Sequence, residues 1–182
     1  MRASVILGTA ALFMAASAPA SVITLGSSNA VSCYRAAEAQ ILEAASWQAC
    51  DAALQQEALL PRDHAGTLVN RGILFLLSGQ VDAAIRDFDE AAKVNPSEPE
   101  VYLNRAIAAW KAGDSAMSLR QAEQALALNT RKPALAFYVR GISREEQGQV
   151  RAAYADLKRA SELAPNWAEP QRELARYQVR QR

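Results

Sequence analysis

The sequence predicts an all-α chain built from a repeated helical unit, and three observations carry that expectation. Self-comparison aligns like residues at fixed offsets of 34 and 69. Alanine dominates a hydrophobic fraction of 51%, interleaved with Leu, Glu, Gln and Arg, a mixture that favours helix. Glycine and proline recur at equivalent places in each period, where helices would end.

At offset 34, Asn70-Arg71-Gly72 aligns with Asn104-Arg105-Ala106, Gly79 with Gly113, Ala91 with Ala125, and Asn95 with Asn129. At offset 69, Gly72 aligns with Gly141, Gly79 with Gly148, Ala84 with Ala153, Ala91 with Ala160, and Pro96 with Pro165. The offset is 69 because Asn129 to Pro133 carries one extra residue between units. Loops absorb such insertions at small entropic cost.

These residue types at these spacings resemble the tetratricopeptide-repeat (TPR) family. The resemblance implies a right-handed α-solenoid of antiparallel helical hairpins. Unit 1, residues 65–98, carries Leu68, Gly72, Phe75, Ala84, Phe88, Ala91 and Pro96 at the family positions. Unit 2, residues 99–133, is looser: Tyr102, Ala106, Ser118 and Ala125 fit, while Ala122 and Thr130 replace Phe88 and Pro96. Unit 3, residues 134–167, has Phe137, Gly141, Ala153, Leu157, Ala160 and Pro165, with Arg144 where Phe75 stands. Gly72, Ala106 and Gly141 face Ala84, Ser118 and Ala153, so paired helices can approach closely. Gly79, Gly113 and Gly148 suit a left-handed helix end. Pro96 and Pro165 close their units because proline cannot continue a helix. Ser97 with Glu100, and Asn166 with Glu169, have the spacing of capping boxes.

Ahead of the repeats, residues 1–20 have the layout of a secretory signal peptide. Arg2 makes a positive start, Val5 to Ala16 is apolar, and Ala18-Pro19-Ala20 fits a small-x-small cleavage site. The alternative is an uncleaved anchor, for which the apolar run is short of the ~20 residues a bilayer span needs. Export to the periplasm, or secretion, is therefore expected, with no membrane span after cleavage. Residues 21–30 are expected to be a flexible segment. Residues 31–64 make one further period, a degenerate hairpin with Ser46 as the N-cap of its second helix. Both cysteines, Cys33 and Cys50, lie in it, and an even count in an exported chain suggests a disulfide. A regular first helix from Val31 would hold their Cα atoms too far apart, so a bridge requires that helix to be short, broken or late to start. Two buried thiols are the alternative. Residues 168–182 are expected to cap the stack, with Trp167, Pro170, Leu174 and Tyr177 on one apolar stripe.

A net charge of +1, with both signs mixed along the chain, argues against nucleic acid. His64, the only histidine, reads as a loop residue, and one His with two Cys lacks zinc-site spacing. With no nucleophile arrangement or phosphate loop, no enzyme activity and no cofactor are expected. The resemblance places first-helix residues on a concave face that takes a protein or peptide partner. The candidates are Val69, Asn70, Ile73, Leu103, Asn104, Ile107, Trp110, Tyr138 and Ile142. The aliphatic ones form either an exposed apolar strip or ordinary core between helices. Only Asn70 and Asn104 match the family's carboxylate-gripping set, so that mode is not expected. Val22, Ile23 and Leu25 also need cover from water, and the concave strip is one surface that could cover them. Two functions follow: an interaction module of the cell envelope, either scaffold or adaptor, or a structural protein that stacks or dimerises through its solenoid ends.

Overall fold

A computed structural model describes residues 20–23 and 28–177. Nine helices occur among these residues. They are α1 (Ser28–Ala39), α2 (Ala44–Gln56), α3 (Pro61–Leu77), α4 (Val81–Val94), α5 (Pro99–Lys111), α6 (Ser115–Ala127), α7 (Pro133–Glu146), α8 (Val150–Leu163) and α9 (Ala168–Leu174). Each helix packs on the next, and α3 also packs on α1 and α5, and α5 on α7. Helices α1, α3, α5 and α7 thus form one continuous inner layer, as in an α-solenoid.

Proline occupies the first turn of α3, α5 and α7, where its missing N–H has no helical partner to lose. Each of these helices stops at a glycine with positive φ, +82° at Gly79, +81° at Gly113 and +74° at Gly148. At the first, the Gln80 N–H bonds Phe75 O at 2.8 Å and the Gly79 N–H bonds Leu76 O at 3.3 Å. Two otherwise orphaned carbonyls are satisfied in this way.

The second helices end differently, and this explains the extra residue. Units 1 and 3 leave α4 and α8 through residues with negative φ, Asn95 at −138° and Ala164 at −137°. Unit 2 leaves α6 through Asn129 at φ +60°, a left-handed turn that also bonds the Thr130 N–H to Ala125 O at 3.0 Å.

The small positions are buried at helix contacts: Ala84, Ala91, Ala106, Ala125, Ala153 and Ala160 are all 0% exposed. A Cβ on Gly72 would stand 2.5 Å from Phe88 Cε1, and one on Gly141 would stand 3.0 Å from Leu157 Cγ. Pro96 and Pro165 lie in exposed loops between units. Arginines on the first helices tie neighbouring helices together. Arg71 grips Asp87 through Nε and Nη2, both at 2.8 Å, and reaches Asp51 at 2.7 Å. Arg140 repeats the fork on Asp156, at 2.8 and 2.7 Å, in unit 3. In unit 2, where Gln121 replaces the aspartate, Arg105 turns back to Asp89 at 2.7 Å.

Cys33 and Cys50 form a disulfide with Cα atoms 4.8 Å apart. Although α1 starts at Ser28, ahead of Val31, it ends early at Ala39. Cys33 then stands seven residues before Gln40 and Cys50 seven after Glu43, the two ends of the turn, so an antiparallel hairpin sets them opposite each other.

Several local expectations are corrected. Ser46 is buried inside the first turn of α2, and Glu43 precedes that helix without a side-chain cap bond. Neither capping box forms. With Pro99 at the helix start, Glu98 becomes the N-cap of α5, Ser97 turns its hydroxyl to Asn95 at 2.8 Å, and Glu100 is drawn to Thr130. Trp167 caps α9, and Glu169 pairs with Arg172 instead. That helix ends at Leu174, short of its expected length, while Trp167 and Pro170 are buried and Tyr177 meets Tyr154 edge-on at 5.5 Å. Of the segment 21–30 expected to be flexible, Val22 is held on α3, and Ala20, the last residue of the expected signal peptide, is held on α5. Residues 1–19 of the expected signal peptide lie outside the described residues, as do residues 178–182 of the expected capping helix.

Candidate functional site

The inner face of α3 and α5 carries two fully buried asparagines. A buried amide is costly unless its donor and acceptor find partners. Asn70 finds both in one residue of the chain's own N-terminal segment. Its Oδ1 accepts the Val22 N–H at 2.9 Å, and its Nδ2 donates to Val22 O at 2.8 Å. A β-strand neighbour offers the same paired exchange. One repeat on, Asn104 Nδ2 donates to Ala20 O at 3.0 Å and to Glu100 O at 2.9 Å.

The segment alternates as an extended chain does. Ala20 is 1% and Val22 2% exposed, whereas Ile23 is 48% exposed. It joins the same core cluster as Val69, Ile73 and Leu103.

Beside the segment is a cavity of about 250 Å³ lined by Tyr34, Glu38, Glu100, Arg131 and Lys132. Glu100 is 1% exposed. Its carboxylate accepts from Thr130 Oγ1 at 3.1 Å and from the Arg131 N–H at 2.8 Å, and it pairs with the Arg131 guanidinium at 3.0 Å. The same guanidinium reaches Glu98 at 3.1 Å. Burial, then hydrogen bonding to Glu100 and its charge, push the Glu98 carboxyl up to about 7. Burial opposes ionisation of Glu100, yet bonds from Glu98 and Arg131 hold it down at about 2. Desolvation lowers Lys132, and burial together with Glu38 raises Tyr34.

The aliphatic candidates offer no free strip: Val69, Ile73 and Leu103 are 0% exposed and Ile107 is 3% exposed. Tyr138 is buried against Trp167, with ring centroids 4.7 Å apart, and burial raises its hydroxyl pKa. Trp110 is half-buried and donates from Nε1 to Glu146 at 3.0 Å, bridging α5 to α7; Ile142 is half-buried. The structure therefore gathers Asn70 and Asn104 into one site and leaves the other candidates to packing. Sequence reasoning missed Glu100, Arg131 and Tyr34 as its neighbours. Glu100 had a sequence signal, but its spacing from Ser97 suggested a helix cap. Among the described residues, no group of three or more His, Cys, Asp and Glu could hold a metal ion, and no helix is long and apolar enough to cross a membrane.

Neither a protein-family model nor a curated protein matches the chain. Solved structures do. The first TPR of Spaghetti (RPAP3), bound to the HSP90 peptide SRMEEVD, is 30% identical, with a TM-score of 0.58 over 61% of this chain and 87% of that one. The Arabidopsis OM64 TPR domain is 23% identical, with a TM-score of 0.62 over 64% and 96%. The Thermus thermophilus TPR protein TTC0263 is 16% identical, with a TM-score of 0.62 over 80% and 76%.

Proposed function

The chain belongs to the tetratricopeptide-repeat family, and from that premise we propose that it is a non-catalytic interaction module of the cell envelope. Its work is to hold an extended partner segment along the concave face of α3 and α5. The observation that carries this is the two-point grip of Asn70 on the backbone of Val22. That face already holds a polypeptide in extended form, by contacts that any non-proline residue can make. A solved relative bound to a peptide supports the same use.

The native segment is an intramolecular occupant that a partner displaces. Export, to the periplasm or beyond, rests on the layout of residues 1–20. Cleavage after Ala20 removes the carbonyl that Asn104 holds and leaves Val22 on Asn70, so the Asn104 end opens first. The mass of the exported protein tests the processing. A chain beginning at Ser21 is expected, and one beginning at Met1 contradicts it.

The binding test compares wild type, Asn70→Ala and Asn104→Ala for capture of envelope-protein peptides, with helix content followed by circular dichroism. Loss of binding in folded variants is the expected result. Unchanged binding in both would place the working face elsewhere.

A further inference from the structure

Building on the concave face as a peptide site, we propose that Asn104 and Asn70 read a tripeptide register in the partner. That register is a small residue, any residue, then a β-branched aliphatic residue, with a free N–H at the first and third positions.

The native occupant shows how the register works. Val22 gives Asn70 both its N–H and its carbonyl, so proline is excluded there. Ala20 and Val22 are sealed while Ile23 stands out in solvent, so selection falls on the first and third side chains and not on the fourth. Ala20 lies on α5 and Val22 on α3, which fixes the direction of the bound chain from the second repeat to the first. In unit 3 the equivalent of Asn70 is Val139, which has no amide, so the backbone-reading pair ends after two registers.

The second register is only half used. Asn104 Nδ2 points at two carbonyl oxygens, those of Ala20 and Glu100. That fixes the amide's orientation, since the reverse would set three acceptors together. Its Oδ1 is therefore a buried acceptor, and it has no donor. A partner whose first residue aims an N–H at this oxygen makes four backbone bonds, where residues 20–22 make three before cleavage and the mature segment from Ser21 keeps only the two at Val22. That difference lets a partner displace a tethered segment.

The probe is a labelled, acetylated hexapeptide with the sequence of residues 20–25, Ala-Ser-Val-Ile-Thr-Leu. It is titrated by fluorescence anisotropy against the full chain carrying Val22→Pro, which withdraws the native N–H from Asn70. Saturable binding is expected, lost on adding Asn70→Ala. Proline in place of the probe's valine, or N-methylation of its alanine, should each weaken binding about tenfold or more. Val22→Gly, which empties the buried side-chain position but keeps the backbone, gives the same comparisons should the proline variant lose helix content. If a permuted hexapeptide of the same composition binds equally well, the register is overturned while the groove stands. If no peptide binds a folded variant, both fall.

Discussion

Asn70 holds Val22 by both of that residue's backbone groups, at 2.9 and 2.8 Å, across 48 positions of sequence. A helix of the first repeat thereby completes its buried amide with the chain's own N-terminal segment. Asn70→Ala strips both partners from Val22 and should cost about 1–3 kcal/mol in chemical denaturation. An unchanged midpoint would mean that the segment does not stabilise the solenoid.

The contact between Gly72 and Phe88 should be the least forgiving of the close approaches. An added Cβ would lie 2.5 Å from the ring, against 3.0 Å from the Leu157 side chain at Gly141. Gly72→Ala should therefore cost about 1–3 kcal/mol despite alanine's better helix propensity. Gly141→Ala should cost less, because Leu157 can rotate. Thermal unfolding of the two variants checks the order, and the reverse order would contradict this packing.

The Cys33–Cys50 bridge links positions 17 apart in the N-terminal hairpin. Both sulfurs are sealed, so alkylation of the native, unreduced protein should modify neither. Replacing both with alanine should cost about 3 kcal/mol on the chain-entropy estimate. Free labelling of either cysteine in oxidised protein would contradict the bridge.

How much of this was written in the sequence follows from range. Gly72, Ala84, Gly141 and Ala153 announce the hairpins because close helix contact admits only small residues, and that constraint repeats with the unit. Asn70 and Asn104 were legible as concave residues because they share the same repeat position. Their occupant was open only as one option among several, since a contact across 48 residues leaves no periodic trace. The bridge depended on where α1 ends, and neither Ala39 nor Gln40 is a residue that marks a helix stop. The Arg71–Asp87 and Arg140–Asp156 forks did leave a trace. Each pair spans 16 residues and the two recur at offset 69, but charges on alanine-rich helices look like solvated surface until their partners are seen.

Glu98 and Glu100 give the protein a pH signature. The Glu98 carboxyl is raised to about 7, so the fold favours its protonated form; that contribution is present below its ordinary value of 4.5 and is lost as pH rises through about 7. Glu100 works oppositely: its contribution is present above 4.5 and is lost as pH falls through about 2. Stability should therefore decline between about pH 5 and pH 8. Glu98→Gln should flatten that decline and raise stability at the alkaline end by on the order of 1 kcal/mol. Denaturation curves across this range check it, and a wild-type profile as flat as the variant's would contradict it.

The chain's own N-terminal segment lies on the concave face, with Val22 held by Asn70. Amide hydrogen exchange at Val22, followed by NMR, tests it most directly. In the wild-type protein this N–H should be protected to a degree comparable with helix amides of α3, and Asn70→Ala should return it to the rate of an unstructured peptide. Exchange at the unstructured rate in the wild type would contradict the account.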